Sequence, residues 1–318
     1  MRAVYYERFG AASDVLVEGE VPVPEPGAGE VLVQVHASGV NPSDVKLRAG
    51  ARPGALMAHP RVIPHSDGAG VVVAGDMAEG TRVWVWNAAW QRAFGTAAEY
   101  VCLPVAQVAS LPEGTSFSEG ACLGIPAMTA WYALDGVSAG DTVLVTGGAG
   151  AVGRYACQMA ALLGCRVITT VSSPAKALHS TCAEWINYRD GDVSEKLMEL
   201  TDGAGIDRIV DVDFAANQAL ALACLKPGGT VASYASSSRM VPELQFYPLM
   251  FKNVTLRMLI VYQLTGASRR RGTSQLNAWL ADGKLDHAVV AGGGLSGIAA
   301  AHDRVASGDK LGTVVLEL

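Results

Sequence analysis

The stretch Asp141-Thr-Val-Leu-Val-Thr146-Gly147-Gly148-Ala149-Gly150-Ala151-Val152-Gly153-Arg154 decides the fold. Residues 142–146 are rich in β-branched side chains, as in a short buried strand, and they run directly into glycine. After the glycines, Val152, Ala156, Met159, Ala160 and Leu163 recur at helical spacing, and Gly164 supplies a stop. A second apolar strand, 166–171, follows at once. Strand, glycine turn, helix and strand make the unit in which a turn lets the backbone approach a pyrophosphate, with the helix start supplying N–H groups and a favourable dipole. Gly148, Gly150 and Gly153 fit the G-x-G-x-x-G spacing, a weak signal alone that this context strengthens. A phosphate-binding P-loop shares the first spacing, but Arg154 and Tyr155 stand where it requires Lys and Ser or Thr. The turn therefore reads as a dinucleotide site.

Alternating helical and extended segments continue outward from this unit. Residues 207–212 and 230–234 read as strands, 215–225 as a helix and 226–229 as a turn; 254–261 reads as a further apolar strand. This alternation predicts a parallel sheet with helices on both faces. Before it, residues 1–116 are β-rich, with strands expected at 3–6, 15–17, 31–37, 70–73, 82–86, 98–102 and 107–111. Many short strands between Gly/Pro turns indicate a compact barrel or sandwich. Helical patterns are expected at 118–123 and 127–134. Past Tyr262 the pattern changes again, to helices at 268–281 and 296–306 and a last strand at 313–318.

Bulk properties narrow the function. The 318 residues suffice for two domains with full cores, half of them are apolar, and 17% are charged. A net charge of −6 argues against nucleic acid as the main partner. The basic run Arg269-Arg270-Arg271 reads as a solvated helix face. The opening residues lack the long apolar stretch of a signal peptide, and no apolar run reaches the length of a membrane span. Six scattered cysteines without a C-x-x-C pair fit a reduced, cytoplasmic setting.

Several further motifs carry a resemblance. Gly39-Val-Asn-Pro-Ser-Asp44, Ser66-Asp67-Gly68-Ala-Gly-Val71, Ala98-Glu-Tyr-Val101 and Gly124-Ile-Pro-Ala-Met-Thr-Ala130 join the glycine turn, Ile186-Asn-Tyr-Arg189, Lys226-Pro-Gly-Gly229 and Gly308-Asp-Lys-Leu-Gly-Thr-Val-Val315. In order and along the whole chain, these resemble the zinc-free quinone oxidoreductases, the zeta-crystallin-like branch of the medium-chain dehydrogenase/reductases. The resemblance implies an α/β fold in which a GroES-like β-rich catalytic domain (1–116, completed by 264–318) is interrupted by a Rossmann domain with a doubly wound parallel sheet (117–263). It implies NADPH as coenzyme, a quinone or enone as substrate, and a homodimer formed by pairing the 254–261 strands edge to edge; a strand buried within one subunit is the plain alternative.

The resemblance also assigns residues. Gly147, Gly148, Ala149, Gly150, Ala151, Val152 and Gly153 would hold the coenzyme, with Thr129, Tyr188 and Lys310 as further contacts. Asn41 and Asp44 lie in the loop placed beside nicotinamide and substrate. An amide at position 41 can donate to a carbonyl oxygen, whereas Asp44 reads equally as a cap of the helix at 45–48. Zinc-binding relatives carry a cysteine at the position of Asn41 and a histidine at that of Ser66, and both are missing here; His65 is one residue off and stands alone. No metal is therefore expected. Coenzyme choice follows from the end of the second strand, where Ser172-Ser173-Pro174-Ala175-Lys176 contains no carboxylate to repel a 2′-phosphate. Ser172, Ser173 and Lys176 could bind that phosphate, although Lys176 alone reads equally as an exposed helix lysine. Several relatives place tyrosines shortly after the Asn-Pro loop. Here the matching stretch is Gly50-Ala-Arg-Pro-Gly54, and no tyrosine lies between Tyr6 and Tyr100. Tyr262 is the weak remaining candidate for a proton donor. Two rival functions stay open: an enoyl or 2-alkenal (C=C) reductase, and a catalytically idle NADPH-binding protein with a structural or RNA-binding role.

Overall fold

The computed structural model describes residues 1–52, 54–308 and 310–318. Pro53, in the tyrosine-free stretch, and Asp309, in the C-terminal motif, lie outside the described residues. The chain divides into two units, Met1–Pro126 with Leu264–Leu318, and Ala127–Gln263.

The first unit begins with β1 (Arg2–Tyr5), α1 (Ala12–Val15), β2 (Val17–Glu20), β3 (Glu30–Val40), α2 (Pro42–Arg48), β4 (Asp67–Gly75), β5 (Arg82–Val85), β6 (Tyr100–Pro104), β7 (Val108–Ser110) and α3 (Phe117–Gly120). The second contains α4 (Met128–Ala133), β8 (Thr142–Thr146), α5 (Ala151–Leu162), β9 (Arg166–Val171), α6 (Pro174–Ala177), β10 (Glu184–Asn187), α7 (Val193–Leu200), β11 (Ile206–Asp211), α8 (Phe214–Cys224), β12 (Leu225–Ser233), α9 (Phe246–Phe251) and β13 (Thr255–Met258). The chain then returns to the first unit with α10 (Gly266–Ala281), β14 (Val289–Ala291), α11 (Ile298–Ala306) and β15 (Thr313–Glu317).

In the first unit β3 is the hub. Its first half pairs antiparallel with β6 and its second half with β15, while β4 runs along its other edge. The sheet continues β4–β5–β7 on one side and β15–β14 on the other. His36 is an extra residue where the β3–β4 register shifts between Val35 and Ala37. Such a bulge breaks the two-residue alternation, which is why the pattern predicted an end at 37 for a strand that runs to Val40. Residues 15–17 were expected to be extended. Instead Val15 closes the helical turn α1, where it is buried against Tyr6 and Val62, and the strand begins only at Val17.

The second unit is a parallel six-stranded sheet in the order β10-β9-β8-β11-β12-β13. Numbered from β8, this is the doubly wound order 3-2-1-4-5-6, whose direction of winding reverses between β8 and β11; ligands of such sheets bind at the carboxyl ends of the strands beside that switch. The central strand carries Val143, Leu144 and Val145 with no exposed surface, and burying each contributes about 1.5–3 kcal/mol. The expected turn at 226–229 lies inside β12. Leu225 pairs with Ile206 and Thr230 with Arg208, so the four residues between them loop out of the ladder. The expected long strand at 254–261 is shorter: β13 ends at Met258, and Val261–Gln263 forms a single 3₁₀ turn. It is the edge of the sheet, which excludes the alternative of an interior strand.

Candidate coenzyme and acceptor sites

The glycine turn closes β8 onto α5 in the second unit. Gly147 has φ of +72°, the left-handed region that favours glycine. A Cβ on Gly148 would lie 2.1 Å from Thr169 Oγ1 on β9, and one on Gly153 would lie 2.3 Å from the Gly147 carbonyl. The turn is thus compressed against strand and helix at the spacing the sequence suggested. Gly150 is the N-cap of α5 and brings no side chain to cap it, so Ala151, Val152 and Gly153 keep first-turn N–H groups that a helix leaves without intrahelical partners. A cradle of bare backbone donors at the start of a 12-residue helix fits a pyrophosphate, with Ala149 and Gly150 leading into it.

The neighbouring strand ends collect the other coenzyme candidates. Ser172 is buried at the end of β9, and Ser173 caps α6, its hydroxyl accepting from the Lys176 N–H at 3.3 Å. Tyr188 follows β10 and is held there by its backbone N–H, which donates to the Val171 carbonyl at 3.0 Å; its ring is half exposed. Ser172, Ser173, Lys176 and Tyr188 therefore share one end of the sheet with the glycine turn. Thr129 lies buried on α4, which packs on α5. Lys310 belongs to the first unit, where its ammonium donates to the Gly312 carbonyl at 2.8 Å and burial lowers its pKa to about 8.

The Asn-Pro loop is built in the first unit. Asn41 is the N-cap of α2, Pro42 opens the helix, and Asp44 sits at its third position in a capping box. The helix begins earlier than expected, so Asp44 caps from inside it: its Oδ2 accepts the Asn41 N–H at 2.8 Å. Asn41 Nδ2 donates to Asp67 Oδ2 at 2.9 Å, and the Ile125 N–H donates to that same oxygen at 2.8 Å. Asp67 Oδ1 is buried without a hydrogen-bond partner among the described residues. Burial pushes the Asp44 carboxyl up to about 7. Asp67 stands well above the usual carboxylate range through burial, with the charge of Asp44 adding to the effect. The Arg269 guanidinium offsets it in part.

Sequence reasoning quoted Asp67 within a motif but gave it no role; its one signal was an acidic residue opening an otherwise small and apolar strand. It also misplaced Arg269. Arg270 and Arg271 are exposed as expected, but Arg269 is buried and stacks over Trp86, 5.1 Å from the ring centre. His65 does not stand alone either, because its Nε2 lies 2.9 Å from that of His302. Among the described residues no group of three or more His, Cys, Asp and Glu side chains is placed to hold a metal ion. All six cysteines are free.

Comparison with known proteins gives the family. Residues 27–113 match the alcohol dehydrogenase GroES-like domain, and residues 151–280 match the zinc-binding dehydrogenase family. Human quinone oxidoreductase is 31% identical over 97% of this chain and 94% of its own length. The chain belongs to the quinone oxidoreductases. It is an oxidoreductase of the zinc-independent, zeta-crystallin-like branch. Rat quinone oxidoreductase is 29% identical over 100% of this chain and 98% of its own. Among solved structures, Escherichia coli quinone oxidoreductase complexed with NADPH has a TM-score of 0.87 at 25% identity, and a mycobacterial protein complexed with NADPH has 0.87 at 29%; each comparison covers 100% of both chains.

Proposed function

We propose that this quinone oxidoreductase uses NADPH to reduce a quinone or a related activated carbonyl acceptor, without zinc. The observation that carries the reading is the compressed glycine turn ending on uncapped helix N–H groups, beside a strand end that offers serines and a lysine and no carboxylate. NADPH, when bound, supplies the hydride. Backbone donors of residues 147–153 take the pyrophosphate, and Ser172, Ser173 and Lys176 take the 2′-phosphate. Asn41 serves the acceptor. One hydrogen of its amide nitrogen is committed to Asp67, and the second is the donor for the oxygen that gains charge during reduction. The absence of a tyrosine between residues 6 and 100 fits an acceptor whose reduced, phenolate-like anion can take its proton from water. An unactivated enone leaves a more basic enolate, for which a positioned acid contributes on the order of 10²–10⁴-fold. A simple quinone is therefore expected to show a higher kcat/KM than a simple enone. The reverse order would favour an enoyl reductase, and NADPH binding without turnover of either acceptor would favour an idle binding protein.

Coenzyme preference tests the strand end directly. One charge-assisted contact contributes about 1.5–3 kcal/mol, so NADPH should bind about 10- to 100-fold more tightly than NADH. Equal dissociation constants in a fluorescence titration would rule the assignment out.

A cytoplasmic homodimer completes the reading. No helix of the described residues is long and apolar enough to cross a membrane. The edge strand β13 leaves Met258 60% exposed, and Val241, Phe246, Tyr247 and Phe251 are more than half exposed in the same unit. An apolar surface along an unpaired edge is what a second copy would cover. Light scattering at micromolar concentration should give twice the chain mass; a monomer mass would exclude the dimer.

A further inference from the structure

A line of buried hydrogen bonds in the first unit has only one consistent direction. It starts at the Asp67 carbonyl, which can only accept, and receives the Thr96 hydroxyl at 2.6 Å. That uses the single Thr96 proton. Thr96 Oγ1 must therefore accept from Ser38 Oγ, 2.7 Å away. With its own proton spent, Ser38 must accept from His65 Nδ1 at 2.8 Å. A neutral His65 with its proton on Nδ1 has a bare Nε2, which accepts from His302 Nε2–H at 2.9 Å. His302 is then left with a bare Nδ1, the one histidine atom in the line without a partner among the described residues. Both rings are neutral, since burial drives His65 well below its usual range and His302 down to about 3. All five residues are buried. His65 is held at φ of +75°, a conformation unusual for a residue with a side chain, and its ring meets that of His302 edge to edge, with ring centres 5.1 Å apart and planes 23° from parallel.

We propose that His302 is a positioning residue for Asn41, acting through this one-way chain onto Asp67, whose carboxylate holds the Asn41 amide. The proposal rests on the reading of Asn41 as the donor to the acceptor's oxygen. With the His302 donor in place, His65 carries its proton on Nδ1, and every hydroxyl down the line points toward Asp67. Without it, Nε2 of the buried His65 has no donor, and the ring loses the contact that fixes its orientation. The Asp67 carbonyl still sets the direction of the line, but a ring that turns takes its Nδ1–H away from Ser38, and the hydroxyls that end on Asp67 are no longer held in place. Asp67 is the junction because its carbonyl ends the chain and its Oδ2 fixes both Asn41 and the Ile125 N–H.

Two measurements on the full-length protein test this. In the wild type, ¹⁵N NMR of the histidine rings should show His65 protonated on Nδ1 and His302 on Nε2; His65 protonated on Nε2 would overturn the proposal whatever the variants do. His302→Leu should lower kcat/KM for a simple quinone by about 10- to 100-fold, the scale of a small misplacement of a catalytic group, with the dissociation constant for NADPH unchanged. His302→Gln, whose amide N–H can replace the Nε2 donor, should recover most of that loss. Full activity in His302→Leu alongside an impaired Asn41→Ala would sink the inference alone. Full activity in Asn41→Ala would remove the reading on which it rests, and the inference with it.

Discussion

Gly153→Ala is expected to lower affinity for NADPH by about 10- to 100-fold. The added methyl would stand 2.3 Å from the Gly147 carbonyl and 2.9 Å from Gly148 Cα. Both neighbours are backbone, so neither can swing aside as a side-chain end would. Helix α5 must move off the turn, or the turn must open, and overpacking of this kind costs about 1–3 kcal/mol. Either movement misaligns the N–H groups of residues 151–153 with the turn. A titration of NADPH gives the readout, and a thermal melt shows that the variant still folds. An unchanged dissociation constant in a folded Gly153→Ala would place the pyrophosphate elsewhere.

Asn41→Ala should lower kcat/KM by about 10- to 1000-fold, the range seen when one oxyanion donor is removed. NADPH affinity should change little, because the glycine turn belongs to the other unit. The loss should fall mainly on kcat if Asn41 acts on charge that develops only as the acceptor is reduced. A rise in KM at constant kcat would instead make Asn41 a residue of ground-state binding. Tyr262→Phe should have much the smaller effect, and a larger loss in that variant would make Tyr262 the proton donor.

These two positions show what a sequence can and cannot convey. The glycine turn is local: its strand, glycines and helix lie within 21 consecutive residues, 142–162, so the three read together reveal a geometry that long-range packing merely completes. The Asn41 environment is assembled from β3, α2, β4 and the segment before α4, and its sense depends on who neighbours whom. Asp67 reads as an ordinary acid until Asn41 and Ile125 are found on one of its oxygens. Arg269 reads as one of three solvated arginines until its helix turns it onto Trp86. Strand ends failed for a different reason. The His36 bulge interrupted the alternation of β3 while the strand continued, and the apolar run past Met258 reflected burial of Leu259 and Val261 rather than extension of β13. The strand β10 was missed because four residues carry too little pattern to separate it from the loop around it.

The pairing of β3 with β15 has a consequence for how the protein forms. The second half of β3 completes its ladder only with residues that follow the entire second unit in the chain. Val40 of β3, Val314 and Leu316 of β15, and Ile298, Ala301 and Val305 of α11 share one buried cluster with Ala3 and Val4. During synthesis the six-stranded sheet can close as soon as it emerges, while the first unit waits with one edge of β3 open along that half and only β4 on the other. Pairing over so long a separation is intrinsically slow, and an apolar strand left open invites mispairing with other chains. Refolding should therefore show two phases, with the six-stranded sheet regained first and oxidoreductase activity only on return of the C-terminal strand.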